Sequence, residues 1–184
     1  MNIGGVTTNY PIGYEARRTQ RATTEKNYAS NMGKTVGTNN SAFVLHTSNE
    51  EDGIAIGSST NRNGSVTVYK PNDFDPANPV YKVKVWDAAG NVTEERMVDA
   101  SKVDPNNCDY LDMYVYSCHL TDSGECSGAQ DAFMGVRFSV GNDSSYFDKS
   151  NWLDIIREMM QMQFETGNLA GFAKYKQFWD FLNQ

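Results

Sequence analysis

The cysteine and histidine side chains are the groups of this sequence that could form a nucleophilic site. A thiolate next to an imidazole is a common catalytic pair, and Cys118 directly precedes His119. Neighbouring helix residues do not face each other, so the fold would have to bring His46 to the thiol instead. Cys118, His46 and His119 are therefore the candidate catalytic residues. No nucleophile motif surrounds them, and the main expectation is that the chain has no catalytic site.

A zinc site would need about four nitrogen or sulfur ligands in a tetrahedron. The sequence offers Cys108, Cys118, His119 and Cys126. If Cys108 and Cys118 lie near opposite ends of one helix, they are about 15 Å apart at about 1.5 Å per residue. One ion cannot bridge that distance. We therefore predict no metal site, no cofactor and three incidental or buried thiols.

Two acidic clusters are the remaining candidates for metal chemistry. One contains Glu50, Glu51 and Asp52, and the other contains Asp73 and Asp75. Carboxylate oxygens bind calcium, but the twelve-residue loop of an EF-hand is missing. Both clusters are predicted to be solvated loop charges.

The overall charge restricts the classes of partner. The net charge is −7 and the pI is about 4.8, and such a protein repels phosphate backbones. We therefore expect no nucleic-acid partner. No run of 18 apolar residues is present, which predicts no membrane span. The first residues lack the basic start and apolar segment of a signal peptide, so a cytoplasmic location is expected, with signal-less export as the alternative.

Residues 1–40 differ from the remainder of the chain. They are polar and contain five basic residues against two acidic ones. We interpret them as a basic arm, extended or conditionally ordered, ahead of a single domain over residues 41–184. The arm folds onto the acidic domain, binds a separate acidic partner, or is a solvated tail. Its candidate partner contacts are Arg17, Arg18 and Arg21.

The middle of the chain indicates a small antiparallel sheet. Short strands are predicted at residues 54–56 and 65–69, and a hairpin pairs residues 80–86 with 92–98 across a turn at Gly90. A helix is expected to begin at Asp104-Pro105 and to continue past Cys118. Residues 133–140 fit either one more strand or a short helix.

The end of the chain predicts an antiparallel helical hairpin. Asp148 or Ser150 would cap a helix over residues 150–165, and Gly167-Asn168 would form the turn to a second helix. The apolar stripes are expected to pack on the sheet, which gives an α+β fold. Methionine suits adaptable binding surfaces, so part of the first helix is an alternative contact for a partner. The candidate partner-binding residues there are Met159, Met162 and Phe164.

Three stretches of the sequence carry a family resemblance. They are Ile12-Gly13-Tyr14-Glu15-Ala16-Arg17-Arg18-Thr19, Asp104-Pro105-Asn106-Asn107-Cys108-Asp109-Tyr110-Leu111-Asp112-Met113, and the ending from Met159 through Gly167-Asn168 to Tyr175. Together they resemble uncharacterised small proteins of clostridial and related gut bacteria. The resemblance implies a bacterial source and carries over no catalytic residue.

These observations favour one class of function over another. Without an assembled catalytic set, a non-enzymatic protein-binding or assembly module is expected, with another protein or a second copy of the chain as its partner. The alternative is an enzyme of unfamiliar type that uses a Cys/His pair.

Overall fold

The computed structural model describes residues 36–38, 41–43, 46–61, 64–140 and 145–183. A two-stranded antiparallel sheet contains β1 (Val36–Thr38) and β2 (Ser41–Phe43). A four-stranded antiparallel sheet has the order β3-β4-β5-β6, and four helices follow it. This arrangement confirms the α+β class. The bounds are β3 Ile54–Asn61, β4 Gly64–Lys70, β5 Val80–Asp87, β6 Val92–Asp99, α1 Tyr110–Asp122, α2 Ala129–Val140, α3 Trp152–Glu165 and α4 Leu169–Leu182.

The predicted arm falls almost entirely outside the described residues. Only β1 lies within residues 1–40, and it pairs with β2 in an antiparallel register. The predicted extended or conditionally ordered state of residues 1–35 therefore stays a prediction.

The β5–β6 hairpin is confirmed, and its turn explains why it forms. The Asp87 carboxylate accepts hydrogen bonds from the backbone amides of Ala89 and Asn91, at 2.9 and 2.8 Å. Gly90 has φ +85°, a conformation that glycine adopts without a steric penalty. Local turn chemistry thus sets the register in which the two strands pair.

The four-stranded sheet has two differently built faces. On the helix face, Val66 and Val68 of β4 and Val83 and Val85 of β5 join the main apolar core. On the outer face, Tyr69 and Trp86 are also buried but do not belong to that core. Residues alternate between the faces of a strand, so Lys82 and Lys84 also point to the outer face.

Helix α1 packs on the helix face and begins later than predicted. The prediction of a start at Asp104-Pro105 is wrong, because Asp104 instead closes a turn in which the Asn107 amide donates to its carbonyl. The N-cap is Asp109, whose side chain accepts from the Asp112 amide. Arg96 of β6 holds the same carboxylate through two hydrogen bonds of 2.9 and 2.6 Å. The residue that caps α1 is therefore also bound to the sheet.

The ambiguous segment over residues 133–140 is helical. It forms most of α2, which begins at Ala129. Ala129, Ala132, Phe133 and Val136 are all completely buried at helical spacing. The helix therefore contributes an apolar stripe to the core beside α1.

Helices α3 and α4 form the predicted hairpin. Neither Asp148 nor Ser150 caps α3, because Asn151 occupies the cap and accepts from the Asp154 amide. Ser150 instead donates its amide to the Cys108 carbonyl, which ties this segment to the start of α1. The ring of Trp152 packs against Phe133 of α2, with centroids 5.0 Å apart. The hairpin thus joins the sheet through the helical layer.

Candidate functional site

Cys118 lies in the core and is shielded from solvent. Its side chain faces Gly57 of β3, where an added Cβ would lie 2.4 Å from the sulfur. Burial raises the pKa of the Cys118 thiol well above its ordinary value. The thiol is therefore protonated at neutral pH, and the arrangement lacks the electropositive, accessible surroundings of a reactive cysteine.

His46 lies on the opposite face of the sheet from Cys118. Its ring stacks on Trp86 with centroids 3.4 Å apart and planes inclined by 10°. Burial and the nearby Lys84 ammonium lower the pKa of His46. The four-stranded sheet separates this imidazole from the Cys118 thiol, so the predicted pair is not brought together.

His119 follows Cys118 along α1 but points elsewhere. Its Nδ1 is 2.9 Å from the Tyr81 hydroxyl, and its Nε2 is 3.9 Å from a Glu125 carboxylate oxygen. Burial raises the pKa of Tyr81, so this hydroxyl is a neutral hydrogen-bonding partner. None of the contacts described for Cys118, His46 and His119 joins one of these side chains to another.

The cysteines form no ligand set. All three are buried free thiols. Cys108 lies just before α1, in a bridge with Ser150, rather than inside the helix. Within the described ranges, no group of three His, Cys, Asp or Glu side chains is arranged to hold a metal ion.

The candidate partner-binding residues separate into three groups. Arg17, Arg18 and Arg21 lie outside the described residues. Met159 is 8% exposed and packs in the core. Met162 and Phe164 are 43% and 61% exposed, but two residues of a helix are rotated by about 200° at 3.6 residues per turn. They therefore face different sides of α3 and do not form one surface.

Phe164 instead forms an apolar surface with the start of α4. Its ring contacts the Phe172 ring, with centroids 5.5 Å apart. Leu169 is 66% exposed and precedes Phe172 by three residues, so the two are neighbours on one helix side. We call Phe164, Leu169 and Phe172 the tip patch. The sequence pattern on α3 identified Phe164 but missed Leu169 and Phe172, because their contact crosses the turn.

The turn beneath the tip patch is well defined by hydrogen bonds. Asn168 caps α4 by accepting from the Gly171 amide at 3.0 Å, and its side-chain amide donates to Gln163 of α3 at 2.6 Å. Gly167 has φ +73°, which permits the tight reversal. Between Glu158 and Lys174 the only charged side chain is that of Glu165. The patch is therefore apolar, nearly uncharged and held in place by the turn.

A buried charge cluster on the outer face was not predicted. Asp52 is 5% exposed, and its carboxylate accepts hydrogen bonds from Lys82 and Lys84 at 2.9 and 2.8 Å. Glu95 of β6 lies 3.4 Å from the Lys84 ammonium. The expectation that Asp52 is a solvated loop charge is wrong. The alternation of Lys82 and Lys84 with core residues on β5 was the signal that could have indicated the cluster.

The electrostatics of this cluster follow from its contacts. Burial alone would raise the pKa of Asp52, but the hydrogen bonds from Lys84 and Lys82 outweigh it and hold the pKa below its ordinary value. Burial would lower the pKa of Lys84, and its bond to Asp52 reverses that effect. Both groups are charged at neutral pH. They stabilise a loop on the sheet rather than forming an open reaction site.

Comparisons with known proteins identify no family or relative of this chain. No family model, curated protein or solved structure matches it. Among the helices of the described ranges, none has the length and apolar character needed to cross a membrane.

Proposed function

We propose that this protein is a non-enzymatic protein-binding or assembly module whose contact surface is the tip patch. The exposure of Phe164 and Leu169 beside Phe172 is the observation that supports the proposal. Large apolar side chains grouped at the surface lose unfavourable contact with water when a partner covers them. A partner with an apolar, weakly charged surface fits this patch best.

The construction of the hairpin supports the same proposal. Ile156 and Met159 of α3 and Phe178 of α4 are buried, so core packing already accounts for the inner sides of both helices. The tip patch is exposed apolar surface in addition to the residues that form the core. The hydrogen bonds of Asn168 hold it without a partner, which limits the ordering entropy that binding would cost.

The enzymatic alternative receives less support from the contacts. A cysteine nucleophile needs a base within about 3 Å, whereas His46 and Cys118 lie on opposite faces of the sheet. The buried thiol also has a raised pKa. We therefore carry the binding proposal forward.

Site-specific photocrosslinking in living cells tests the proposal. A photoreactive amino acid at Leu169 is expected to yield one dominant adduct, whose mass distinguishes a second copy of the chain from another protein. Ile54 of β3 is the matched control, because it is 59% exposed and apolar but lies away from the hairpin. The double substitution Phe164→Ser with Phe172→Ser should abolish the adduct while circular dichroism stays unchanged. Equal crosslinking from Leu169 and Ile54 would contradict the proposal.

A further inference from the structure

A loop over residues 46–53, which we call the strap, is attached to the outer face of the sheet at two places. At its start, His46 stacks on Trp86 of β5. At its end, the Asp52 carboxylate bonds to Lys82 and Lys84 of the same strand. Between them, Ser48 Oγ accepts a hydrogen bond from the Ala55 amide of β3 at 2.9 Å. The strap therefore covers aromatic and charged side chains of the outer face.

The first attachment depends on the charge of the imidazole. His46 Nε2 is buried and has no hydrogen-bond partner among the residues that the structure describes. A neutral ring can leave this nitrogen without a proton when Nδ1 carries it. A protonated ring would bury a charged N–H without an acceptor, which costs far more than a buried neutral nitrogen.

The neighbouring charges do not compensate for a proton on His46. From β5, the Lys84 ammonium repels it, and Lys82 adds a second positive charge to the same face. The carboxylates of Asp52 and Glu95 are paired with these lysines, and Tyr69 of β4 contributes an uncharged hydroxyl. Stacking on an indole would favour a cation. Burial and the Lys84 ammonium both act against a proton on the ring, and they lower the pKa of His46.

We propose that the strap is an acid-sensitive cover, in which protonation of His46 detaches the start of the strap from Trp86 while Asp52 keeps its end attached. Detachment exposes the Trp86 ring and breaks the Ser48–Ala55 hydrogen bond at the edge strand β3. The regulated surface is separate from the tip patch, so it stands whether or not the hairpin binds a partner.

The direction of the pH effect follows from the lowered pKa. Detached His46 titrates near its ordinary value of about 6.5, whereas attached His46 titrates lower. The attachment is therefore at full strength above about pH 6.5 and weakens as the pH falls toward the pKa of the attached ring. Asp52 remains ionised through this range, because its own pKa is below the ordinary carboxyl value.

Nuclear magnetic resonance of the full chain tests the proposal. We expect the His46 ring to titrate below the ordinary histidine pKa. We also expect the exchange protection of the Ala55 amide, corrected for intrinsic rates, to fall several-fold between pH 7.5 and pH 5.5. The variant His46→Phe keeps an aromatic stack without a titratable group, and its Ala55 protection should not change with pH. His119→Gln removes the chain's other histidine and should leave the pH response intact.

Three results would overturn the proposal. They are a His46 pKa at or above the ordinary value, constant Ala55 protection while His46 titrates, and a pH response that persists in His46→Phe. The first two come from the unmodified protein and do not depend on the folding of any variant. Failure of photocrosslinking at Leu169 would not affect them, so the two proposals are tested independently.

Discussion

Removing the Asp52 carboxylate should measurably destabilise the protein, because it leaves a buried ammonium without its main partner. The side chains of Asp52 and Lys84 are 6% and 10% exposed, and their closest atoms are 2.7 Å apart. Breaking a buried ion pair from one side costs roughly 3–5 kcal/mol. Glu95 lies 3.4 Å from Lys84 and compensates in part. We therefore expect Asp52→Asn to lower the free energy of unfolding by about 2–3 kcal/mol.

Urea unfolding at pH 7 measures this change, and a double-mutant cycle shows its origin. Lys84→Met leaves the carboxylate with Lys82 and the Asn49 side-chain amide and should also destabilise. The combination Asp52→Asn with Lys84→Met should cost clearly less than the two single changes added together, because it leaves no buried charge unpaired. Lys82→Met is the control, with a loss of about 1 kcal/mol, since its side chain is more exposed and Asp52 keeps Lys84.

The pH dependence provides a second check on the same reasoning. The folded-state pKa of Asp52 is below its unfolded value, so its stabilising contribution is present above about pH 4 and is lost as the pH falls through the folded-state pKa. The difference in stability between the unmodified protein and Asp52→Asn should be constant from pH 7 to pH 5 and should narrow below pH 4. A difference under about 0.5 kcal/mol at pH 7, as for a typical surface change, would refute the reasoning. Additive single changes would refute it as well.

Three further predictions follow from close contacts in the core. Gly57→Ala should destabilise by about 1–3 kcal/mol in urea unfolding, because its Cβ would meet the Cys118 sulfur at 2.4 Å. Gly128→Ala has open space around its Cβ and should cost no more than about 1 kcal/mol, because it loses only the preference for glycine over alanine at the N-cap of α2. Arg96→Met should cost about 2–3 kcal/mol, because Asp109 is buried and Arg96 is only partly exposed; a loss as small as that of an exposed ion pair would contradict the inferred anchoring of α1. The three buried thiols should not react with a thiol reagent in the native protein and should react on unfolding, as followed by absorbance; rapid native reaction would contradict their burial and raised pKa values.

Much of the fold follows from patterns among neighbouring residues. The turn at Gly90 and the alternation on both sides of it predicted the β5–β6 hairpin. The helical period and the Gly167-Asn168 turn predicted the α3–α4 hairpin. Turn conformation and amphipathic periodicity each depend on a few neighbouring residues. They can therefore be recognised in a short stretch of sequence without the tertiary structure.

Other elements needed contacts between distant segments. Asp104-Pro105 has the local features of a helix start, yet α1 begins after Asp109, whose carboxylate both caps the helix and binds Arg96 of β6. The local pattern of residues 133–140 fits either a strand or a helix. Packing of the whole of α2 against α1 favours the helix. In both cases tertiary contacts add to local preference, which by itself is worth only fractions of a kcal/mol per residue.

The candidate sites show the same division between features of the local sequence and features of the tertiary structure. Composition and spacing alone identified Phe164 as an apolar residue off the main stripe of α3, and they indicated that no familiar catalytic or metal motif is present. Only the tertiary structure placed Phe172 beside Phe164 and separated His46 from Cys118. It also paired Asp52 with Lys84, which is 32 residues away in the chain. Such pairings depend on how the sheet and helices are arranged in space. The residues that flank each partner in the sequence do not reveal them.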